Sequence, residues 1–259
     1  MPHTLQSGAA VGERGHHSGS WCIFPQMMPE AIPTVRRLLG SLTLTLLAIG
    51  ATACATPRAE MRSSPAPLLR PDEAALAAHA PAVFQVQFET TQGPIVVTVH
   101  REWAPIGADR FYYLARNGFF DGERFFRVRA NYIAQFGLNG DPAVIAAWKH
   151  RTMPDDSVHV SNLRGTLGYA MTGPNTRTTQ IYFNLVDNAN LDSQGFAPFG
   201  TVTSGMDAVL RLYSGYGESA GGGVRAGKQG LIEAGGNAYL STAFPKLDYI
   251  KRTIVIEPN

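Results

Sequence analysis

From Val83 the chain alternates apolar and polar residues, Val83-Phe84-Gln85-Val86-Gln87-Phe88-Glu89-Thr90, and no other feature constrains the fold as strongly. A period of two is the signature of a half-buried strand, whose side chains point to opposite faces in turn. Gln92-Gly93 supplies a turn, and Pro94–His100 returns as the hairpin partner. Further short strand candidates follow between turn residues: Arg124–Arg129, Tyr132–Phe136, Gly165–Met171, Gln180–Asn184, Pro198–Val202 and Tyr249–Glu257. Ala104–Asn117 carries Phe111, Leu114 and Ala115 at helical spacing and stops at Asn117-Gly118, a good C-terminal cap. A second short helix is expected around Met206–Leu212. The strand-helix alternation of a doubly wound sheet is missing. The pattern predicts a mainly β domain over 83–259, a closed eight-stranded antiparallel β-barrel with two capping helices.

Composition narrows the function. With 44% hydrophobic and 16% charged residues the chain is of ordinary globular type. The formal net charge is +2 and no basic run occurs, so no nucleic-acid partner is expected. Basic and acidic residues nearly balance from Val83 onward, which argues against electrostatic steering of a ligand. The two cysteines, Cys22 and Cys54, both precede the region that reads as folded. The domain therefore has no thiol for a disulfide, a nucleophile or a zinc cluster, and neither metal nor cofactor is expected.

The amino-terminal part reads as an address. Arg36 and Arg37 precede an apolar run, Leu38–Gly50, followed by small residues, the three-part layout of an export signal. The run is short of the roughly 20 residues that span a bilayer. Its end, Ala51-Thr52-Ala53-Cys54, resembles a bacterial lipobox, which implies lipidation at Cys54 and attachment to a membrane. Cleavage by ordinary signal peptidase at Ala51 and Ala53, leaving a soluble exported protein, is the alternative. We read 1–26 as an over-extended start, 27–54 as the signal peptide and 55–82, rich in alanine and proline, as a semi-extended linker. The expected location is the periplasm or the membrane-bound face of a bacterial envelope.

Three stretches carry a family resemblance. The first is Arg124-Phe125-Phe126-Arg127-Val128-Arg129-Ala130-Asn131-Tyr132-Ile133-Ala134-Gln135. The second is Ala170-Met171-Thr172-Gly173-Pro174-Asn175-Thr176-Arg177-Thr178-Thr179-Gln180-Ile181-Tyr182-Phe183-Asn184. The third runs from Asn190-Leu191-Asp192 to Phe196-Ala197-Pro198-Phe199-Gly200. In this order and spacing they resemble the motifs of the cyclophilin-type peptidyl-prolyl cis/trans isomerases, over about residues 83–214. The resemblance implies Arg127 and Gln135 as catalytic residues. It implies a substrate site of Phe126, Tyr132, Ile133, Ala170, Met171, Gln180, Tyr182, Leu191 and Phe196, and proline-containing segments of client proteins as partners.

Several positions depart from the family pattern. Phe126 stands where histidine is frequent, Tyr132-Ile133 replaces Phe-Met, and Ala130-Asn131 replaces Pro-Gly. Tyr182 replaces a phenylalanine, so a buried hydroxyl needs a partner. Asn190 stands in place of a tryptophan linked to cyclosporin binding, which predicts weak affinity for that drug. These changes leave open a feebly active fold that serves as a proline-peptide-binding or chaperone module.

Other signals carry less. Gly222–Gln229 almost spells a phosphate-binding loop, but Gln229 replaces the magnesium-holding Ser/Thr and no apolar strand leads into it. Asp187–Asp192 lacks the glycine of a calcium loop, and His100, His150 and His159 show no metal spacing. The 139–156 stretch reads as a long loop and 214–236 as a glycine-rich tail, neither with an assigned role.

Overall fold

The computed structural model describes residues 66–220 and 229–257, which fall within one compact unit, Ala59–Asn259. The expected extra start, the export signal, Cys54 and the first part of the linker lie outside the described residues. Two one-turn helices, α1 (Ala66–Leu69) and α2 (Glu73–Leu76), precede the hairpin of β1 (Val83–Thr90) and β2 (Gly93–His100). Next come α3 (Pro105–Arg116), β3 (Arg127–Arg129), β4 (Ile133–Phe136), α4 (Pro142–Trp148), β5 (Thr166–Tyr169) and β6 (Ile181–Asn184). The chain continues through β7 (Pro198–Ser204), α5 (Met206–Arg211), α6 (Gly230–Ala243) and β8 (Ile250–Ile256).

The hairpin follows its sequence closely. Phe84, Val86 and Phe88 of β1 point inward opposite Val99, Val97 and Ile95 of β2. The turn is closed by the Thr90 hydroxyl, which donates to the Gly93 carbonyl at 2.6 Å. All eight strands join one antiparallel sheet in the order β3-β4-β6-β5-β7-β2-β1-β8. Its concave side encloses an aromatic core in which Phe88 meets Phe111, Phe120, Phe136 and Phe183 edge-on. Helix α3 covers this core with Phe111 and Leu114, both fully buried. Its first turn is held by the Asp156 carboxylate, which accepts from the backbone N–H groups of Ile106 and Gly107.

The sheet is a curled half-barrel, and closure is where it departs from the expectation. No ladder joins the end strands β3 and β8. The chain ahead of each meets the other at a single antiparallel bridge, Arg124 to Tyr249, with Phe125 N–H donating to the Asp248 carbonyl at 3.0 Å.

Three segments differ from the sequence reading. The linker is not extended throughout: from Ala66 it lies on the domain, with Leu68 buried and its carbonyl accepting the indole N–H of Trp148 at 2.8 Å. Its alanine and proline content suggests little surface to bury, yet Leu68 enters the core, Leu76 packs against it, and Pro67 and Ala80 are hydrogen-bonded to Tyr113 and Asp109. The expected loop 139–156 contains α4. Asp141-Pro142 looks like a turn but also fits an N-cap followed by proline in the first helical position, and the Asp141 side chain accepts from Ala143 N–H. Helix α6 starts within the glycine-rich tail and runs on to Ala243, its path breaking at Gly236 where a Cβ would lie 2.2 Å from the Gly140 carbonyl.

Candidate active site

Strand alternation sorts the two faces of the sheet. Ala134, Phe136, Ile181 and Phe183 turn to the main core, so Ile133, Gln135 and Tyr182 turn to the other side. Register then aligns Arg127 with Gln135, Gln135 with Tyr182, and Tyr182 with Gly168 in one row across β3, β4, β6 and β5. The neighbouring row places Arg129 beside Ile133. The tight link between β3 and β4 is made by Asn131, which takes the left-handed conformation (φ 57°) that a short polar side chain tolerates.

These rows floor an open cavity of about 770 Å³. One side is apolar: Ile133, Tyr182 and Leu191 form a separate buried cluster, with Tyr132, Ala170 and Phe196 packed against it. The other side is polar. Arg127, 8% exposed as a residue, donates through Nη1 to Gln135 Oε1 at 3.0 Å. Gln135, fully buried, donates through Nε2 to Gln180 Oε1 at 2.8 Å, and Gln180 Nε2 donates to Gln229 Oε1 at 2.8 Å. Three glutamines thus fix the orientation of one arginine.

The apolar wall rests on a buried polar network. Tyr182 donates its hydroxyl to Asn162 Oδ1 at 2.7 Å, and Asn162 Nδ2 donates to Asp192 Oδ1 at 2.7 Å. Gly168 makes room for this ring, since a Cβ there would stand 2.8 Å from the Tyr182 hydroxyl oxygen. Burial holds the Tyr182 phenol far above its usual range, so it remains a neutral donor. Burial also pushes the Asp192 carboxyl up, but donation from Ser161 and Asn162 outweighs it and holds the group below its ordinary value.

Of the residues implied by the resemblance, Arg127, Gln135, Tyr132, Ile133, Ala170, Met171, Tyr182, Leu191 and Phe196 all line this cavity. Two do not. Gln180 stands behind Gln135 and lines a smaller neighbouring pocket. Phe126 is a correction: it is buried in a second cluster with Leu138, Ile145, Ala220, Ile232, Leu240 and Leu247, away from the cavity. Phe126 lies just ahead of β3 and packs into that second cluster, while Phe125 and Val128 enter the main core. Conversely, Arg129, Thr172, Gly173, Gln194 and Glu218 line the cavity unforeseen. Arg129 was readable, two residues from Arg127 on one strand face. Glu218, 91 residues from Arg127 in the chain, had no local signal.

The arrangement combines a fixed cationic donor with an apolar slot. No group of metal-ligating side chains occurs among the described residues. The family model described as cyclophilin type peptidyl-prolyl cis-trans isomerase/CLD matches residues 85–225. A peptidyl-prolyl cis-trans isomerase of Acinetobacter baylyi is 34% identical over 142 residues, 53% of this chain and 76% of the relative. Peptidyl-prolyl cis-trans isomerase B of Escherichia coli is 30% identical over 135 residues, 49% of this chain and 82% of the relative. Among solved structures, a Cryptosporidium parvum cyclophilin type peptidyl-prolyl cis-trans isomerase aligns with 68% of this chain and 99% of its own, at a TM-score of 0.49 and 17% identity. The matched span contains all the strands from β2 to β7 and both sides of the cavity, and on this footing the chain belongs to the cyclophilin-type peptidyl-prolyl cis-trans isomerases.

Proposed function

We propose that the chain accelerates X-Pro rotation in exported or envelope proteins, with Arg127 stabilising the twisted amide while the proline ring sits against Ile133, Tyr182, Leu191 and Phe196. Resonance holds the X-Pro amide planar behind a barrier of about 20 kcal/mol. At the top of that barrier the nitrogen becomes pyramidal and gains a lone pair. A guanidinium donates to that lone pair without ever losing its proton. Only stabilisation that is stronger in the twisted state than in the planar one accelerates the step. The fixed orientation of Arg127 against Gln135 meets that requirement, because no reorganisation is needed as the amide twists.

One observation carries this reading: the Arg127–Gln135 pair shares a cavity with an apolar cluster large enough for a proline ring. The test is NMR exchange or a protease-coupled assay on a short X-Pro peptide. Arg127→Ala is expected to lower kcat/KM on the order of a hundredfold, as removal of a preorganised donor does elsewhere. Unchanged turnover in that variant would remove Arg127 from the mechanism. The competing binding module has one point in its favour, a carboxylate already seated on Arg127. It predicts peptide affinity that survives Arg127→Ala, with no acceleration by the wild type.

The proposed setting is the bacterial envelope. Support lies in Arg36-Arg37, the run Leu38–Gly50 and the lipobox-like Ala51–Cys54. Lipidation at Cys54 predicts partition into the detergent phase that Cys54→Ser abolishes. A Cys54→Ser protein that partitions like the wild type would exclude the anchor.

A further inference from the structure

We propose that Glu218 is a built-in competitor for Arg127, an internal carboxylate that each client segment must displace from the catalytic guanidinium. The inference rests on reading Arg127 as the group that serves the twisted amide. Glu218 Oε1 accepts from Arg127 Nη2 at 2.6 Å and from Nε at 3.1 Å. Nη1 already donates to Gln135. Every nitrogen of the guanidinium therefore has a partner, and the face turned to the cavity is held by an acid.

A carboxylate on an arginine can instead serve to position it. The geometry argues otherwise here. Arg127 is anchored from below by Gln135, which is fully buried and held in turn by Gln180. Its strand position is fixed by pairing with Gln135 in the ladder. Glu218 adds its contact from the solvent side, where its side chain is 46% exposed, and it lines the cavity itself. A second cation lies within reach, since Arg129 Nη1 is 3.5 Å from the same oxygen. Arg129 is half-exposed and gives the carboxylate somewhere to go when the client arrives.

Glu218 is also not loosely placed. Its segment folds as turns, with Gly217 N–H donating to Ser214 O and Ser219 N–H to Tyr216 O. Ala220 is buried in the Phe126 cluster, and Tyr216 packs against it. Phe126, which does not touch the cavity, thus belongs to the apolar platform on either side of Glu218.

The experiment compares wild type, Glu218→Ala, Glu218→Gln, Arg127→Ala and Arg127→Ala/Glu218→Ala on a neutral X-Pro peptide, with kcat and KM resolved by NMR exchange. In Glu218→Ala and Glu218→Gln, KM should fall about threefold to fivefold with kcat not reduced, the size of a half-exposed ion pair given up on binding. Raised salt should increase wild-type kcat/KM by screening the pair and leave Glu218→Ala flat. A fall in kcat at constant KM would make Glu218 a positioning residue and overturn the proposal, as would unchanged constants. The gain must disappear in the Arg127→Ala background, and its persistence there also overturns the competition. Wild-type turnover in Arg127→Ala alone would instead overturn the reading of Arg127.

Discussion

Tyr182 and Asn162 are joined by a 2.7 Å hydrogen bond beneath the apolar wall of the site, with the phenol as donor. Asn162 Oδ1 also accepts from Asn184 Nδ2 at 3.1 Å, and Asn188 links Asn184 to the Tyr132 carbonyl. The wall is thus apolar on its face and hydrogen-bonded behind, which sets the orientation of the ring.

Tyr182→Phe removes one donor while the Asn162 acceptor keeps its second partner. It should cost about 1 kcal/mol of stability and change peptide KM little, because the ring face remains. Urea unfolding paired with peptide KM checks this. A large rise in KM at undiminished stability would mean that the hydroxyl contacts the peptide.

Legibility in the sequence followed range. The β1–β2 hairpin and α3 were readable because their patterns are local, period two and then Phe111-Leu114-Ala115 on one helical face. Arg127, Gln135 and the apolar wall were readable through motifs that resemble a family. Phe126 was misplaced because motif proximity does not say which cluster a side chain just ahead of a strand will enter. Helix α4 was hidden because Asp141-Pro142 serves turns and helix starts alike. Glu218 and the docking of Leu68 on Trp148 join residues far apart in the chain, and no periodicity encodes such meetings.

Leu68 offers a direct measure of that docking. It is 1% exposed within the main core cluster although it lies ahead of the first strand. Leu68→Ala should destabilise the domain by about 2–5 kcal/mol, the range for a large-to-small change at a buried site. A loss below that range would show that the segment rests on the surface without contributing to the core. Isomerase turnover should be unaffected in the folded protein, since Leu68 does not line the cavity that holds Arg127.

Asp156 couples two elements at once. Its Oδ2 accepts from Gly107 N–H at 2.9 Å and from Arg177 Nη1 at 3.0 Å, and Arg177 is 2% exposed. Asp156→Ala takes one of two carboxylates from that buried guanidinium, leaving Asp155 Oδ1 at 3.0 Å from Arg177 Nε, and uncaps α3. The expected cost is about 3 kcal/mol, the lower end for one partner removed from a buried pair, because Asp155 still faces the guanidinium. Restoring much of it in Asp156→Ala/Arg177→Met would assign the cost to the stranded charge. An equal loss in the double variant would assign it to the helix start.

Glu123 sets a pH dependence of stability. Its carboxyl is fully buried, and Oε2 accepts from Gly137 N–H at 2.8 Å. Burial raises it well above its ordinary value of 4.5, the Gly137 contact opposes this and the nearby Asp121 adds to it. Above about 4.5 the unfolded chain releases this proton while the folded chain retains it, so the folded state binds more protons and stability falls as pH rises. The contribution is fully present below the unfolded value and is lost through the folded one. Glu123→Gln keeps an acceptor for Gly137 and carries no charge at any pH. Urea midpoints at about pH 5, pH 6.5 and pH 8 should therefore fall more steeply for wild type than for Glu123→Gln. Parallel curves would mean that the Glu123 carboxyl titrates alike in both states, and that its burial is relieved when the proton leaves.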